Sequence, residues 1–323
     1  MNDKKSRNRF LSTILAFAVS GISLVYLYRS IDIEKAIEIF RAAHLQFIFY
    51  AFFISCLTML FLLFRWLLFL WALGIKIPTL SVVRYFCIGL FGNPILPSSI
   101  GGDVIKVLGL CRFTDEKAKV VASVLLDRIS GFIGMIVVAF SAFLVGFRLL
   151  NDFFLLIVIL GMAVLASLIL AVLFIEPIYA FFVCWSGRLP KLKNSLMQMH
   201  YDMTLLKDQK HIFFKAIAIS VLGQVVCSYC YYLLSIGLLQ DVRLFYFLIF
   251  LPLISMASAV PSIGGLGVRE WVITILLAKI GVAKEISVNL GFLNYIFMVV
   301  IGLIGGFIFV VSQSFETKWQ KTS

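Results

Sequence analysis

The chain has 323 residues, 62% hydrophobic and 14% charged, with a mean hydropathy of +1.06. Soluble domains run about 45–50% apolar and about 25% charged, so this composition excludes a water-soluble fold, a disordered chain, a coiled coil and a disulfide-stapled secreted module. The net charge of +12 would direct a soluble protein toward nucleic acid. Here the basic residues cluster at the ends of apolar runs, as the positive-inside rule expects of a membrane protein, and no nucleic-acid partner is implied.

The first apolar run, 10–28, is long enough to span a bilayer, which takes about 20 apolar residues. No small-residue cleavage site follows it, so it reads as an uncleaved span rather than a signal peptide. Between it and the next run, Ile33, Ala36, Ile37 and Phe40 fall on one helical face opposite Asp32, Glu34, Lys35, Glu38 and Arg41. The segment is either a helix lying on the membrane surface or a solvated connector. Further spans are expected at 46–73, 131–149, 153–176, 212–239 and 287–312. The polar stretch 177–211, with Arg188, Lys191, Lys193, Lys207 and Lys210, divides the chain. It carries a second amphipathic stripe at Leu192, Leu196, Met199, Met203 and Leu206. The expected organisation is a membrane half over 1–176, a cytoplasmic linker over 177–211 and a membrane half over 212–323. No soluble catalytic domain is expected.

Two apolar stretches, 80–130 and 244–281, are interrupted by Pro and Gly. The first contains Asn93-Pro-Ile-Leu-Pro97-Ser98-Ser99-Ile-Gly101-Gly102-Asp103-Val-Ile-Lys106. The second contains Pro261-Ser262-Ile263-Gly264-Gly265-Leu-Gly267-Val268-Arg269-Glu270. Pro-Ser-(Ser)-Ile-Gly-Gly followed by a base, with the second Ser in the first copy alone, thus occurs in both halves. With both termini cytoplasmic, the charge clusters fit six full spans plus two elements that dip in from opposite faces, which is an inverted repeat. Full crossing by the broken elements gives a similar count and stays open. Pro and Gly-Gly stop a helix, and irregular backbone at membrane depth survives only inside protein or beside a wet cavity. A helix restarting after Gly102 or Gly267 points free N–H groups and a positive dipole end into that space, a natural phosphate site. Lys106 and Arg269 add positive charge, while Asp103 and Glu270 cap the helices or pair with the bases. The alternative is that the glycines serve tight helix packing alone.

Asp127-Arg128 lies just before the span expected from Gly131, and Arg65 lies within 46–73. Ionisable groups at such depth are functional candidates by default, although Arg65 and Arg84 are also placed to snorkel to the cytoplasmic face. The six cysteines lie mostly in apolar runs. Cys227-x-x-Cys230 falls mid-helix, where thiols act as small hydrophobes. His44, His200 and His211 are too scattered for a metal site or a hydrolase triad.

The segments Asn93…Leu96-Pro97-Ser98…Gly101-Gly102-Asp103, Asp127-Arg128…Gly131 and Pro261…Gly264-Gly265-Leu266-Gly267-Val268-Arg269-Glu270 resemble the flippase-like membrane domain of lysylphosphatidylglycerol synthases. The resemblance covers essentially the whole chain. It implies an all-α polytopic protein of the cell membrane that moves a charged phospholipid between leaflets. The synthases' soluble aminoacyl-transferase domain has no counterpart here, so synthesis of the aminoacyl lipid is not implied.

The expected function is therefore a lipid flippase or scramblase, not an enzyme. Its cargo would be an anionic or aminoacylated phospholipid, or a polyprenyl-phosphate lipid. No nucleotide-binding motif or cofactor is expected, so transport would be passive or ion-coupled. A homodimer is left open. Two alternatives remain: a membrane-embedded transferase using a polyprenyl-phosphate donor with Asp103 or Asp127 as base, and a non-transporting partner acting through the middle loop.

Overall fold

The computed structural model describes residues 21, 32–94, 96, 101–146, 152–174, 210–258, 262 and 264–319. All regular structure among them is helical. In chain order the helices are α1 (Ile33–Arg41), α2 (Leu45–Ala72), α3 (Thr79–Gly92), α4 (Gly101–Leu110), α5 (Lys117–Val145), α6 (Phe153–Phe174), α7 (Lys210–Gly237), α8 (Leu244–Ala257), α9 (Val268–Ala278) and α10 (Lys284–Trp319). Among the described residues, four stretches, Leu45–Ala72, Lys117–Val145, His211–Gly237 and Lys284–Ser312, are long and apolar enough to cross a membrane. Among the described residues, α3, α8 and the Phe153–Leu168 part of α6 are shorter apolar helices. The expected span 10–28, Gly21 apart, and the second amphipathic stripe lie outside the described residues.

The lengths repeat. α2 and α7 have 28 residues each, α3 and α8 have 14 each, and α4 and α9 have 10 and 11. Each short pair leads into a long helix, α5 or α10. The chain therefore carries two copies of one pattern: long helix, interrupted pair, long helix. The first pair is shorter than the sequence suggests. It ends at Leu110, and residues 117–130 belong to the unbroken α5. Asp127 and Arg128 are thus mid-helix, not at the threshold of a span beginning at Gly131. Hydropathy breaks at those charges, but a helical backbone need not, provided the charges find partners.

The contacts divide the chain into two compact units. One comprises Met1–Thr58, Leu80–Leu108 and Val226–Ser323; the other comprises Met59–Thr79 and Gly109–Val225. In the first, α1 starts at Asp32, whose carboxylate accepts the Lys35 N–H at 3.3 Å as an N-cap. Asn289 of α10 donates to the Ala36 carbonyl at 2.9 Å, which fixes α1 on α10. Ile37 and Phe40 stay exposed, as an interfacial face requires. Cys230 Sγ donates to the Ala51 carbonyl at 3.2 Å, tying α7 to α2. In the second unit, Trp66 Nε1 donates to Ser123 Oγ at 3.2 Å, and a Cβ on Gly223 would stand 3.3 Å from Phe61 Cβ. α2, α5 and α7 therefore pack closely there.

Candidate functional site

The first interrupted pair is a tight antiparallel hairpin. α3 stops where Asn93 precedes Pro94, since a residue before proline is pushed out of the helical region. α4 then returns along α3. A Cβ on Gly89 would lie 2.9 Å from the Gly102 carbonyl oxygen and from the Lys106 side chain. A Cβ on Gly102 would strike the Gly89 carbonyl and the Asn93 side chain, and one on Gly101 would strike Leu96. Gly102 is thus required by backbone approach, and Gly101 by the packing of the Leu96 side chain. Asp103 and Lys106, one turn apart on α4, are both buried. Their charges meet at 3.1 Å, and the Lys106 ammonium stands 4.6 Å above the Phe86 ring.

The second pair turns on glycines of another kind. Gly264, Gly265 and Gly267 have φ of 57°, 80° and 85°, left-handed values that L side chains reach only with strain. Ser262 is buried within this turn. α9 starts after Gly267, whose N–H donates to Glu270 Oε2 at 2.6 Å. Glu270 Oε1 receives Arg269 Nε at 3.2 Å and a terminal Arg269 nitrogen at 2.9 Å. The other terminal nitrogen donates to Asn294 Oδ1 at 3.2 Å. The guanidinium lies 5.8 Å from the centre of the Tyr295 ring. Gly291 leaves room for this pair: a Cβ there would press on Glu270 Cγ at 2.8 Å.

The two turns meet. A Cβ on Gly264 would lie 3.1 Å from Pro94 Cα and 3.4 Å from the Asn93 carbonyl oxygen. α10 seals the same region against α3. Cβ atoms on Gly302 and Gly305 would stand 3.1 Å from the Leu90 carbonyl oxygen and 2.6 Å from that of Cys87. Small residues at this spacing let membrane helices approach backbone to backbone. The turn before α9 therefore rests on the turn after α3. The start of each following helix bears a buried cation already paired with a carboxylate of its own turn. Each pair is locally neutral, which is how ionised groups persist in an apolar interior.

The remaining candidates are differently placed. In the other unit, Arg65 of α2 holds both carboxylate oxygens of Asp127 of α5, Nε to Oδ1 at 2.6 Å and a terminal nitrogen to Oδ2 at 3.0 Å. Its other terminal nitrogen donates to Ser220 Oγ of α7 at 3.0 Å. Arg65 does not snorkel; it joins three helices. Arg128, one residue on from Asp127, is exposed. Arg84 is buried. Pro97, Ser98 and Pro261 lie outside the described residues. Sequence reading missed Ser220, Asn294 and Tyr295, single polar groups in apolar helices. The signal that could have found Asn294 and Tyr295 is polar side chains beside a glycine, Gly291, in a membrane helix. Among the described residues no group of His, Cys, Asp and Glu could hold a metal ion.

Residues 13–306 match the family model described as the lysylphosphatidylglycerol synthase TM region. A UPF0104 membrane protein of Pyrococcus horikoshii is 24% identical over 305 residues, covering 85% of this chain and 90% of the relative.

Proposed function

The chain belongs to the lysylphosphatidylglycerol synthase TM-region family, and on that premise we propose that it is a lipid flippase or scramblase of the cell membrane. It acts as a transporter rather than an enzyme, with both termini cytoplasmic. Its cargo is a phosphate-containing lipid: an anionic or aminoacylated phospholipid, or a polyprenyl phosphate. The observation that supports this reading most is the contact between the two interrupted turns, Gly264 on Asn93 and Pro94. It gathers the starts of α4 and α9, with Lys106 and Arg269, into one unit of the protein.

A headgroup phosphate would be drawn by those cations and by the positive ends of the helices. To bind, it must compete with Asp103 and Glu270 for their partners. A headgroup that also carries an amine would offer those carboxylates a replacement charge. Broken, irregular backbone supplies polar groups to line the headgroup's path, while the acyl chains remain in lipid.

The test is headgroup transfer in proteoliposomes. Fluorescent phosphatidylglycerol, its lysyl derivative and a polyprenyl phosphate are offered to the purified protein and to Arg269→Ala. Transfer of at least one lipid, lost in the variant, is expected. No transfer of any of them by folded protein would overturn the reading in favour of a membrane-embedded transferase or a non-transporting partner.

A further inference from the structure

We propose that Glu270 is the site at which a proton is taken up and carried with the lipid, an inference that rests on the transport reading above. Three of the donors that an incoming phosphate would use at the start of α9 are held by this one carboxylate, and the remaining Arg269 nitrogen is held by Asn294. Oε1 occupies Arg269 through two bonds, and Oε2 occupies the Gly267 N–H. The Glu270 side chain is only 4% exposed. Gly291 lies against it, leaving little room to swing aside.

The groups around it fix the charge balance. Arg269 is the cation bonded to it among the described residues. From α10 it is faced by the neutral Asn294 and Tyr295, which reach it through Arg269. Tyr231 of α7 lies within electrostatic range of both charges. α8, which packs on α9, contains no Asp, Glu, Lys, Arg or His. At rest the pair is neutral. When a phosphate takes the guanidinium, an ionised Glu270 would leave two anions on one cation, away from water. Burying an uncompensated charge costs far more than binding a proton.

The carboxylate therefore takes one proton from the aqueous phase on the loading side, at Oε1, the oxygen that Arg269 vacates. Oε2 keeps its bond from Gly267 N–H. The occupied site is then neutral again: guanidinium, phosphate and carboxylic acid. When the lipid leaves on the other side, Arg269 returns to Glu270 and the proton is released there. One proton thus moves with one lipid phosphate in the same direction, and a proton gradient drives the lipid.

The test uses the full chain in phosphatidylcholine vesicles with fluorescent phosphatidylglycerol as the probe and a pH-sensitive dye enclosed. Transfer should rise about tenfold for each unit the pH is lowered on the loading side, as required by one obligatory proton. The dye should report proton arrival in step with lipid arrival. Glu270→Gln should lose the pH dependence and the proton flux. Wild-type transfer that ignores pH and moves no protons overturns the inference and leaves the transport reading standing. So does a Glu270→Gln protein that keeps the wild-type pH slope. No transfer by the wild type at any pH overturns the transport reading and this inference together. If Glu270→Gln does not fold, the wild-type ratio of protons to lipid decides alone: near one supports the inference, near zero overturns it.

Discussion

Arg65 and Asp127, 62 positions apart, form a two-pronged ion pair that locks α2 to α5, and the same guanidinium reaches Ser220 on α7. Gly131, one turn beyond Asp127, makes the space: a Cβ there would stand 2.8 Å from an Arg65 terminal nitrogen. Removing one partner strands the other charge among apolar helices. Arg65→Ala and Asp127→Asn should each destabilise the protein by about 3–5 kcal/mol. The double variant should cost less than the two losses added together. Thermal unfolding of the purified variants in detergent checks this; additive losses would mean the pair is not coupled.

Helix contact between α3 and α10 depends on the absence of a side chain at Gly305. Gly305→Ala drives a Cβ against the Cys87 carbonyl oxygen, a backbone atom that cannot turn away. The expected cost is about 1–3 kcal/mol, as for overpacking elsewhere. Gly161 of α6 has nothing within 4 Å of the corresponding position, so Gly161→Ala should be neutral or slightly stabilising, since alanine is the better helix former. Melting temperatures of the two variants should therefore move apart, and equal shifts would contradict the close approach.

The turn before α9 tests backbone conformation separately from packing. A Cβ at Gly265 would meet Ser258 only at ordinary contact distance, 3.4 Å, yet φ is 80°. Gly265→Ala should lose about 1–2 kcal/mol through conformation alone, and Gly265→Asn less, because asparagine tolerates the left-handed region. A comparison of unfolding midpoints for the three side chains gives the order Gly, Asn, Ala. Alanine as stable as glycine would show that this turn is not left-handed.

Much of this was legible in the sequence, because helix breaking is local. Asn93-Pro94 and the Gly264–Gly267 run announce their own turns, and the recurring Gly-Gly marks the repeat. Apolar length likewise foretold α2, α7 and α10. The start of α5 was not legible. Lys117, Lys119, Asp127 and Arg128 lower local hydropathy, and the partner that lets Asp127 stay within the protein lies far back at Arg65. The roles of Gly291, Gly302 and Gly305 were hidden for the same reason: a glycine within a helix does not reveal which backbone it will meet. The state of the cations was half legible. Their nearness to carboxylates is printed in Asp103–Lys106 and Arg269–Glu270, but only geometry shows that each pair is closed.

The repeat also carries an orientation. Lys76 follows α2 and Asp241 follows α7, equivalent positions in the two copies and both exposed. An inverted arrangement puts them on opposite sides of the membrane. In a cysteine-free background, Lys76→Cys should react with an impermeant thiol reagent from the cytoplasmic side and Asp241→Cys from outside. Labelling of both from one side would make the two copies parallel.

The central claim is that the paired turns carry the headgroup path, and lipid transfer measured side by side for four proteins tests it most directly. These are the wild type, Lys106→Ala, Arg269→Ala and Arg112→Ala, the last altering an exposed residue after α4. Lys106→Ala and Arg269→Ala should each lose at least tenfold in transfer rate per folded molecule, beyond the stability lost by stranding Asp103 or Glu270, because a charge-assisted bond to phosphate contributes about 1.5–3 kcal/mol. Arg112→Ala should match the wild type. Wild-type transfer in folded Lys106→Ala and Arg269→Ala would contradict the account and move the path away from the two turns.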